Sequence, residues 1–301
     1  MDFKLFTEMR TAMDMEKVLI TGGNGQLGRS LCGLLEGTDT EVIVTDADTL
    51  DICNFNQVED FVLKHKPDTI INCAAHTAVD KCETDAENAE RINADGAGNL
   101  AIAAGRTGAQ IVQVSTDYVF DGNAGRPYTE EDKTNPQSVY GRTKLAGEKA
   151  VIENCPKYFI VRTAWLYGDG NNFVKTMLGL ADKMDCITVV NDQYGTPTSS
   201  LELARMILHI IPSGQYGIYH GTCEGETNWY EFACEIMKQA GKDVKVMPVT
   251  TEEYMKNKKA AARPAYSVLE NKRLNSMGSY RMKEWKEALA EYMHMTGYSR
   301  V

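Results

Sequence analysis

The chain has 301 residues, of which 43% are hydrophobic and 25% charged, a composition typical of a soluble globular protein. Its formal net charge of −10 argues against a nucleic-acid-binding protein, which usually carries a basic face. No apolar run reaches the ~18 residues that a membrane-spanning helix requires, and the first residues lack the apolar core of a signal peptide. We therefore expect a cytoplasmic protein whose scattered cysteines, with no C-x-x-C pair, are reduced thiols.

The N-terminal half alternates short β-branched runs with amphipathic stretches. Residues 1–14 precede this pattern and are set apart as an N-terminal extension. The runs are KVLIT (17–21), EVIVTD (41–46), TIINCAA (69–75), QIVQVST (110–116) and YFIVRTA (158–164). Helical patterns lie between them, the longest near 86–106 and 138–154. Near-continuous apolar strands separated by helices indicate a parallel sheet buried on both faces, so we predict a doubly wound α/β fold of the Rossmann type.

Beyond about residue 165 the pattern loosens. We predict helices near 171–184, 199–211, 227–240 and 283–296, and short strands at CITVV (186–190), YGIYH (216–220) and VKVMPV (244–249). We expect a Rossmann domain over 15–165, continuing in part beyond 165, and a smaller C-terminal α/β lobe over 166–301 with interleaved segments. Such a lobe would pack on the carboxyl edge of the sheet, where ligands of these folds bind.

The turn TGGNGQLG (21–28) has the glycine spacing of a dinucleotide site. Gly22 would tighten the turn, Gly25 would let backbone approach a pyrophosphate, and Gly28 would let the helix pack closely on its strand. The helix N-terminus supplies amide donors and the positive end of a dipole. Asp46, at the end of the next strand, is placed to accept hydrogen bonds from the adenosine ribose and to repel a 2′-phosphate. We therefore predict a dinucleotide site that favours NADH over NADPH.

Two more strand ends are expected to contact the cofactor. Asp51 and Ile52 follow the second strand, and Asn72 to Ala75 end the third. The small residues Cys73, Ala74 and Ala75 would let backbone come close to the adenine and ribose. We predict these two segments to be part of the dinucleotide site, since the carboxyl ends of parallel strands share one edge.

Tyr140 and Lys144 form the second strong pattern, together with Thr116 at the end of the fourth strand. Positions i and i+4 lie on one helix face, so we expect the Lys144 ammonium to lower the pKa of Tyr140 from its ordinary value near ~10. Such a tyrosine can pass a proton to a carbonyl oxygen at neutral pH, and Thr116 can orient that oxygen. A nicotinamide cofactor would deliver hydride to the carbonyl carbon.

These residues and several longer motifs resemble the extended short-chain dehydrogenase/reductase superfamily, and within it the dTDP-4-dehydrorhamnose reductases. The motifs are TGGNGQLG, STDYVFDG (115–122), YGRTKLAGE (140–148), RTAWLYG (162–168), NNFVKTM (171–177), DQYGTPT (192–198) and ARPAYSVL (262–269). The resemblance runs from about residue 16 to 295. STDYVFDG with DQYGTPT and RPAYS is far more specific than the superfamily triad alone.

The resemblance implies the last step of dTDP-L-rhamnose synthesis: reduction of the 4-keto group of dTDP-4-dehydro-β-L-rhamnose by NADH or NADPH. It implies Thr116, Tyr140 and Lys144 as the catalytic triad, the last two also touching the cofactor. The further cofactor contacts that it implies are Gln26, Leu27, Thr77 and Asn93. The substrate contacts that it implies are Asp117, Tyr118, Trp165 and Asn172, with Arg263 and Tyr266 near the nucleotide diphosphate. Arg263 has the planar fork suited to a pyrophosphate.

Some members of this family bind Mg²⁺ at a dimer contact through acidic residues. Glu202 stands in a plausible place, but no further ligands match. A solvated helix glutamate is therefore the preferred interpretation, and no metal is predicted. The chain is expected to be a monomer or a homodimer.

Two alternative functions stay open at this stage. One is a non-catalytic dinucleotide-binding protein that resembles the regulatory subunit of methionine adenosyltransferase. The other is a different sugar-nucleotide reductase or epimerase of the same superfamily. The complete set of Thr116, Tyr140 and Lys144 favours an enzyme over the first of these.

Overall fold

The computed structural model describes residues 16–256 and 261–299. The predicted N-terminal extension, residues 1–14, lies outside the described residues. Among those described, no helix has the length and the apolar character to cross a membrane. All eight cysteines fall within the described ranges and carry free thiols.

The strands are numbered in chain order. They are β1 (Lys17–Thr21), β2 (Glu41–Thr45), β3 (Thr69–Asn72), β4 (Gln110–Thr116), β5 (Tyr158–Thr163), β6 (Leu166–Tyr167), β7 (Cys186–Val190), β8 (Tyr194–Gly195), β9 (Thr198–Ser199), β10 (Gly217–His220), β11 (Thr227–Asn228) and β12 (Lys245–Val249).

The helices follow the same order. They are α1 (Gln26–Leu35), α2 (Phe55–His65), α3 (Val79–Cys82), α4 (Ala86–Glu90), α5 (Gly96–Thr107), α6 (Val139–Asn154), α7 (Phe173–Ala181), α8 (Ser200–Ile210), α9 (Trp229–Ala240), α10 (Thr251–Met255), α11 (Lys272–Met277) and α12 (Trp285–Met295). A π-helical turn, Arg91–Asp95, joins α4 to α5, and 3₁₀ turns occupy Asp117–Val119 and Ile211–Ser213.

Six parallel strands form the main sheet, in the order β10-β5-β4-β3-β1-β2. The strand order reverses between β1 and β3, which lie side by side with Thr21 opposite Asn72. In an open α/β sheet the crevice at such a switch point is where ligands bind. The predicted doubly wound parallel sheet is confirmed.

Each central strand buries side chains on both faces of the sheet. In β1, Val18 and Ile20 pack with Leu27 and Leu31 of α1 on one face, whereas Leu19 packs with helices α2 and α5 on the other. This alternation follows from the two-residue period of a strand. It explains why the runs are apolar throughout rather than alternating, since helices cover both faces.

One strand lies elsewhere than expected. The sequence placed YGIYH in the smaller lobe, but β10 pairs in parallel with β5, Gly217 lying opposite Phe159, and so forms an edge of the main sheet. The placement in the smaller lobe was therefore wrong. A four-residue strand carries no local signal of which sheet it joins, because its partner lies over fifty residues earlier in the chain.

The C-terminal part also builds a second core of its own. Helices α7, α9 and α12 pack there around Phe232, Trp285 and Leu289, and β7 with β12 forms a two-stranded parallel ribbon. Helix α8, from the same half of the chain, packs instead with α1 beside the main sheet. The division at residue 165 stays a prediction, since both bodies draw on the second half of the chain.

Candidate active site

A cleft of about 770 Å³ opens at the carboxyl ends of β1, β3, β4 and β5. This volume lies within the range of roughly 300–1,000 Å³ typical of small-molecule and cofactor sites. Asn72, whose side chain is hydrogen-bonded to Thr21 and Gln113, lies outside the lining of the cleft. Every other site residue predicted from the sequence lines the cleft except four, namely Asn93, Asn172, Arg263 and Tyr266. The fold therefore collects residues from positions 22 to 165 in one place.

The glycine turn forms one end of the cleft. Gly22 has φ +65°, and a Cβ at this position would lie 2.7 Å from the Ala74 backbone nitrogen, so only glycine fits without strain. A Cβ on Gly28 would lie 2.5 Å from the Gly22 carbonyl oxygen, which holds α1 tightly against the turn. Gly25 precedes the first residue of α1 and offers no side-chain cap. The first amides of α1 are therefore available to an anion.

Asp46 lies beside this turn at the end of β2. Its Oδ2 accepts a hydrogen bond from the Asn24 backbone N–H at 3.0 Å, and its Oδ1 accepts from the Ala47 N–H at 2.9 Å. These two bonds hold the carboxylate at the rim of the cleft. A ribose that reached this rim would meet a fixed hydrogen-bond acceptor.

The turn has the features of a dinucleotide cradle. Its glycines leave no room for a Cβ at Gly22 and Gly28, and the Gln26 Oε1 atom, which lies in the lining, is buried without a hydrogen-bond partner among the described residues. Free amides, a fixed carboxylate and an unpartnered acceptor together suit a ligand with a pyrophosphate and ribose hydroxyls. The residues present fit a nicotinamide dinucleotide.

Thr116 and Tyr140 face each other across the middle of the cleft. Thr116 ends β4, and its hydroxyl donates to Asp117 Oδ1 at 2.9 Å while accepting from the Tyr118 N–H at 3.2 Å. Tyr140 is the second residue of α6, whose start is fixed by Ser138 accepting from the Gly141 N–H. Against the effect of burial, a side-chain hydrogen bond between Thr116 and Tyr140 works to lower the tyrosine's pKa.

The pKa of Tyr140 is raised overall, and not lowered as the sequence had predicted from Lys144. Desolvation in the cleft raises the pKa of Tyr140 well above 10, and the nearby Asp117 and Cys82 push it further up. The Lys144 ammonium donates to the Val114 carbonyl oxygen at 2.6 Å. Tyr140 is therefore a neutral phenol, which can donate a proton.

Lys144 is itself strongly affected by its surroundings. Its side chain is 3% exposed, and burial lowers its pKa from 10.5 to about 8, while the Glu148 carboxylate and Cys73 act in the opposite direction. The residue thus remains mostly protonated at neutral pH. An ammonium has three N–H donors, so two are left for a ligand beyond the one bound to Val114.

Asp117 is a buried carboxylic acid in the wall of the cleft. It is 2% exposed, and its Oδ2 has no hydrogen-bond partner among the described residues. Burial raises the pKa of Asp117 to about 6, although hydrogen bonds from Ser267 and Thr116 lower it. The unpartnered oxygen is available to a polar group of a ligand, since buried acceptors are rarely left without a donor.

Aromatic side chains close the far end of the cleft. Tyr118 meets Tyr140 edge to face, with ring centroids 5.5 Å apart. Trp165 has φ +47°, a conformation uncommon for a bulky residue, and its indole stacks on Trp229 with ring centroids 3.6 Å apart and planes 10° from parallel. This pair offers a flat apolar surface next to polar side chains.

Trp229 is a cleft residue that the sequence analysis missed. It begins α9 in the C-terminal half, directly after the capping residue Asn228, and no local pattern links it to Trp165. Asp169 and Asn171 also line the cleft and were not predicted. Asp169 directly follows the motif RTAWLYG and Asn171 begins the motif NNFVKTM, so their positions at these motifs were the available signal.

Two of the predicted residues outside the lining serve neighbouring segments. Asn93 is 1% exposed and holds the His76 backbone through bonds to its N–H and its carbonyl oxygen. Asn172 caps α7 by accepting from the Lys175 N–H, and it donates to the Gly168 carbonyl oxygen. Their polar atoms are thus already engaged in holding backbone.

The other two lie in the segment that follows the undescribed residues 257–260. Arg263 Nη2 forms an ion pair with Asp80 at 2.9 Å, and the Tyr266 hydroxyl donates to Glu226 at 2.7 Å. Burial raises the pKa of Tyr118 and the Arg263 charge opposes this effect, so Arg263 lies near the end of the cleft that Tyr118 lines. Its guanidinium is thus paired with a carboxylate.

The expectation of a solvated glutamate at position 202 is wrong. Glu202 is 2% exposed, and its Oε1 accepts from the Tyr280 hydroxyl at 2.9 Å and from the Lys283 N–H at 3.0 Å. It also pairs with Arg205 at 3.3 Å. The glutamate holds the chain before α12, and no group of three potential metal ligands occurs within residues 16–256 and 261–299.

Comparison with known proteins extends the resemblance to nearly the whole chain. Residues 15–297 match the RmlD substrate binding domain family. The dTDP-4-dehydrorhamnose reductase of Streptomyces griseus is 41% identical over 281 residues, covering 91% of each chain.

Two solved structures are similar in fold as well. A dTDP-4-dehydrorhamnose reductase of Clostridium acetobutylicum is 54% identical with a TM-score of 0.91, covering 93% of this chain and 99% of that one. The Bacillus anthracis dTDP-4-dehydrorhamnose reductase in complex with NADP is 43% identical with a TM-score of 0.90, at the same coverage.

Proposed function

This chain belongs to the RmlD substrate binding domain family, and from that premise we propose its substrate and the roles of its cleft residues. It is an oxidoreductase that uses a nicotinamide dinucleotide to reduce the 4-keto group of a dTDP-sugar. We infer that the sugar is dTDP-4-dehydro-β-L-rhamnose and the product dTDP-L-rhamnose. The observation that carries this proposal is the cleft itself, where a dinucleotide cradle meets Thr116 and Tyr140 at the ends of adjacent elements.

Tyr140 is the proton donor in this proposal. Its raised pKa keeps it a phenol across the neutral range, and a ketone that gains hydride at carbon needs a proton at oxygen. The dinucleotide, when bound, supplies the hydride. Thr116 lies beside the phenol and would hold the same carbonyl oxygen by a hydrogen bond, which fixes the direction of the proton transfer.

Lys144 acts by its charge. Its ammonium keeps two free N–H groups for the dinucleotide, and a cation one helical turn from Tyr140 stabilises the phenolate left after proton transfer. Gly22, Gly25 and the start of α1 would hold the pyrophosphate.

Asp117, Tyr118 and Trp165 would hold the sugar at the other end of the cleft. The buried oxygen of Asp117 can accept from a sugar hydroxyl, whereas the Trp165 face suits the apolar methyl of a 6-deoxy sugar. Arg263 would turn from Asp80 to the diphosphate of the substrate, because a guanidinium binds a phosphate at least as well as a carboxylate.

The cofactor preference is a separate part of the proposal. Asp46 is fixed at the rim by backbone bonds, and its charge would disfavour a 2′-phosphate, so we propose that NADH is preferred. The Bacillus anthracis relative was solved with NADP, and both cofactors therefore belong in the test.

The decisive experiment follows the loss of reduced-nicotinamide absorbance when the protein is mixed with dTDP-4-dehydrorhamnose and NADH or NADPH. Turnover is expected for the parent and for Tyr158→Phe, a matched control at the start of β5 and outside the cleft lining. Tyr140→Phe should bind cofactor normally and lose at least about a hundredfold in rate, the lower end of what general acid catalysis contributes. Normal turnover by Tyr140→Phe would refute the assigned donor.

Nucleotide selectivity tests the choice of substrate. Thermal unfolding in the presence of dTDP, UDP or GDP at equal concentration should show the largest stabilisation with dTDP, because the ligand that binds the folded state most tightly stabilises it most. A larger shift with GDP or UDP would point to another sugar-nucleotide reductase or epimerase.

A further inference from the structure

Three residues on one face of α6 meet three successive residues of β4. Tyr140 shares a side-chain hydrogen bond with Thr116, and Lys144 Nζ donates to the Val114 carbonyl oxygen at 2.6 Å. One turn further on, Glu148 Oε1 accepts from the Ser115 hydroxyl at 2.5 Å. Helix positions i, i+4 and i+8 thus contact residues 116, 114 and 115 of β4 in turn, and Glu148 is the one of the three that has no role in the reaction so far.

Glu148 is held from a second strand as well. Arg162 of β5 donates from Nε to Oε1 at 2.9 Å and from Nη2 to Oε2 at 2.7 Å. The two side chains are 1% and 3% exposed. The Arg162 guanidinium also lies over the Phe120 ring, 5.2 Å from its centroid. This bidentate pair is completely enclosed, and its geometry leaves the carboxylate little freedom to move.

We propose that Glu148 is a positioning residue of the reduction. Held by hydrogen bonds from Ser115 and Arg162, it fixes α6 on β4, and it supplies the negative charge that keeps Lys144 an ammonium. The inference rests on the proposed roles of Tyr140 and Lys144. Stability alone is a weak explanation for the pair, because a buried ion pair is often no more stabilising than apolar side chains of the same volume.

The charges around Lys144 support this assignment. Burial lowers the pKa of Lys144 to about 8, and the Glu148 carboxylate is the larger of two influences that raise it, Cys73 being the other. The ionisable groups on the remaining sides, Asp117 after β4 and Cys82 of α3, act on Tyr140. Arg162 faces the far side of Glu148 and is bound to it.

Loss of the Glu148 charge would bring the Lys144 pKa into the neutral range. A nearby negative charge favours the protonated form of a lysine, so without the Glu148 carboxylate Lys144 would lose its proton at a lower pH. The phenolate left by Tyr140 would then lack its cation. The rate of the chemical step would fall on the alkaline side, while substrate binding at Trp165 and Asp117 would be unaffected.

The experiment compares Glu148→Gln with Glu153→Gln, an exposed glutamate on the same helix. Single-turnover rates are measured from pH 6 to 9.5 with saturating NADPH and dTDP-4-dehydrorhamnose. For Glu148→Gln we expect the alkaline limb to move to lower pH by at least about one unit, and the rate at pH 8 to fall at least about fivefold. The substrate KM should change less than about threefold, and Glu153→Gln should match the parent.

A folding defect is separated from the proposed role by a second variant. Glu148→Gln leaves Arg162 buried without its partner, so Glu148→Gln with Arg162→Gln removes both charges and is used if the single variant does not fold. A displacement of the alkaline limb in the same direction is expected, because the influence that raises the Lys144 pKa comes from the Glu148 carboxylate. A variant that melts at a lower temperature but keeps the parent's pH profile would overturn the proposal, since a purely structural role predicts that result.

Tyr140→Phe is measured in parallel. If it is inactive and Glu148→Gln behaves like the parent, the positioning role fails and the proposed function stands. If Tyr140→Phe is itself active, the assigned proton donor fails whatever Glu148 does.

Discussion

The burial of Lys144 predicts a measurable dependence of stability on pH. Its pKa is 10.5 when exposed and about 8 in the folded protein, and each pKa unit corresponds to about 1.36 kcal/mol. Keeping this ammonium buried at pH 7 therefore costs the folded state about 3 kcal/mol. The cost disappears as pH rises, because between about pH 8 and 10.5 the folded chain has released the proton and the unfolded chain still binds it.

Lys144→Met isolates this contribution. Methionine has a similar length and no charge, so its folded state has no such proton linkage. The free energy of unfolding of the parent, minus that of Lys144→Met, should rise by about 3 kcal/mol between pH 7 and pH 10.5. Groups that titrate in both proteins cancel in this difference. The lost bond to the Val114 carbonyl oxygen adds an offset that does not vary with pH.

Urea denaturation without cofactor, at several values between pH 7 and 10.5, gives the required free energies. Lys149→Met is the matched control. Its side chain is exposed on the same helix, so the corresponding difference should stay flat. A flat difference for Lys144→Met, or one that falls with rising pH, would refute the conclusion that burial governs the charge of Lys144.

Three other substitutions test separate parts of the structure. Gly22→Ala puts a Cβ 2.7 Å from backbone at φ +65°, so calorimetric titration should show at least about tenfold weaker NADPH binding and thermal unfolding a lower melting temperature. Gly33→Ala on α1, where a Cβ meets nothing within 4 Å, should keep the parent's affinity and melting temperature. Asp46→Ala should shift the NADH-to-NADPH ratio of kcat/KM towards NADPH by on the order of tenfold, because a carboxylate near a 2′-phosphate costs ~1 kcal/mol or more; an unchanged ratio would remove Asp46 from cofactor selection. Arg162→Met leaves the buried Glu148 carboxylate without its cation and should reduce the free energy of unfolding, measured by urea denaturation, by about 3–5 kcal/mol. A loss below about 1 kcal/mol would show that water or another cation reaches Glu148.

The sequence by itself determined the fold class and most of the cleft. Apolar runs separated by helical periods specify a parallel sheet, because burial on both faces leaves strands with no polar alternation. The turn at Gly22 could also be predicted from the sequence, since a left-handed backbone conformation and the close approach of another backbone segment both restrict a position to glycine. The pairing of Tyr140 with Lys144 on one face follows from the helical repeat alone. These features are local, and the residues next to one another in the sequence determine them.

Only the tertiary structure decided what depends on distant contacts. The place of β10 beside β5, the stacking of Trp229 on Trp165 and the burial of Glu202 each join segments far apart in the chain. No period in the sequence records such contacts.

The protonation states of the site residues were also decided only by the tertiary structure. The sequence placed Lys144 next to Tyr140 and predicted that it lowers the tyrosine's pKa. In the folded protein, desolvation outweighs that effect, and Glu148, fixed by Arg162 of another strand, acts on Lys144 instead. A pKa depends on how much water the fold removes and on which charges it brings within a few ångströms, and both quantities exist only once the chain has folded.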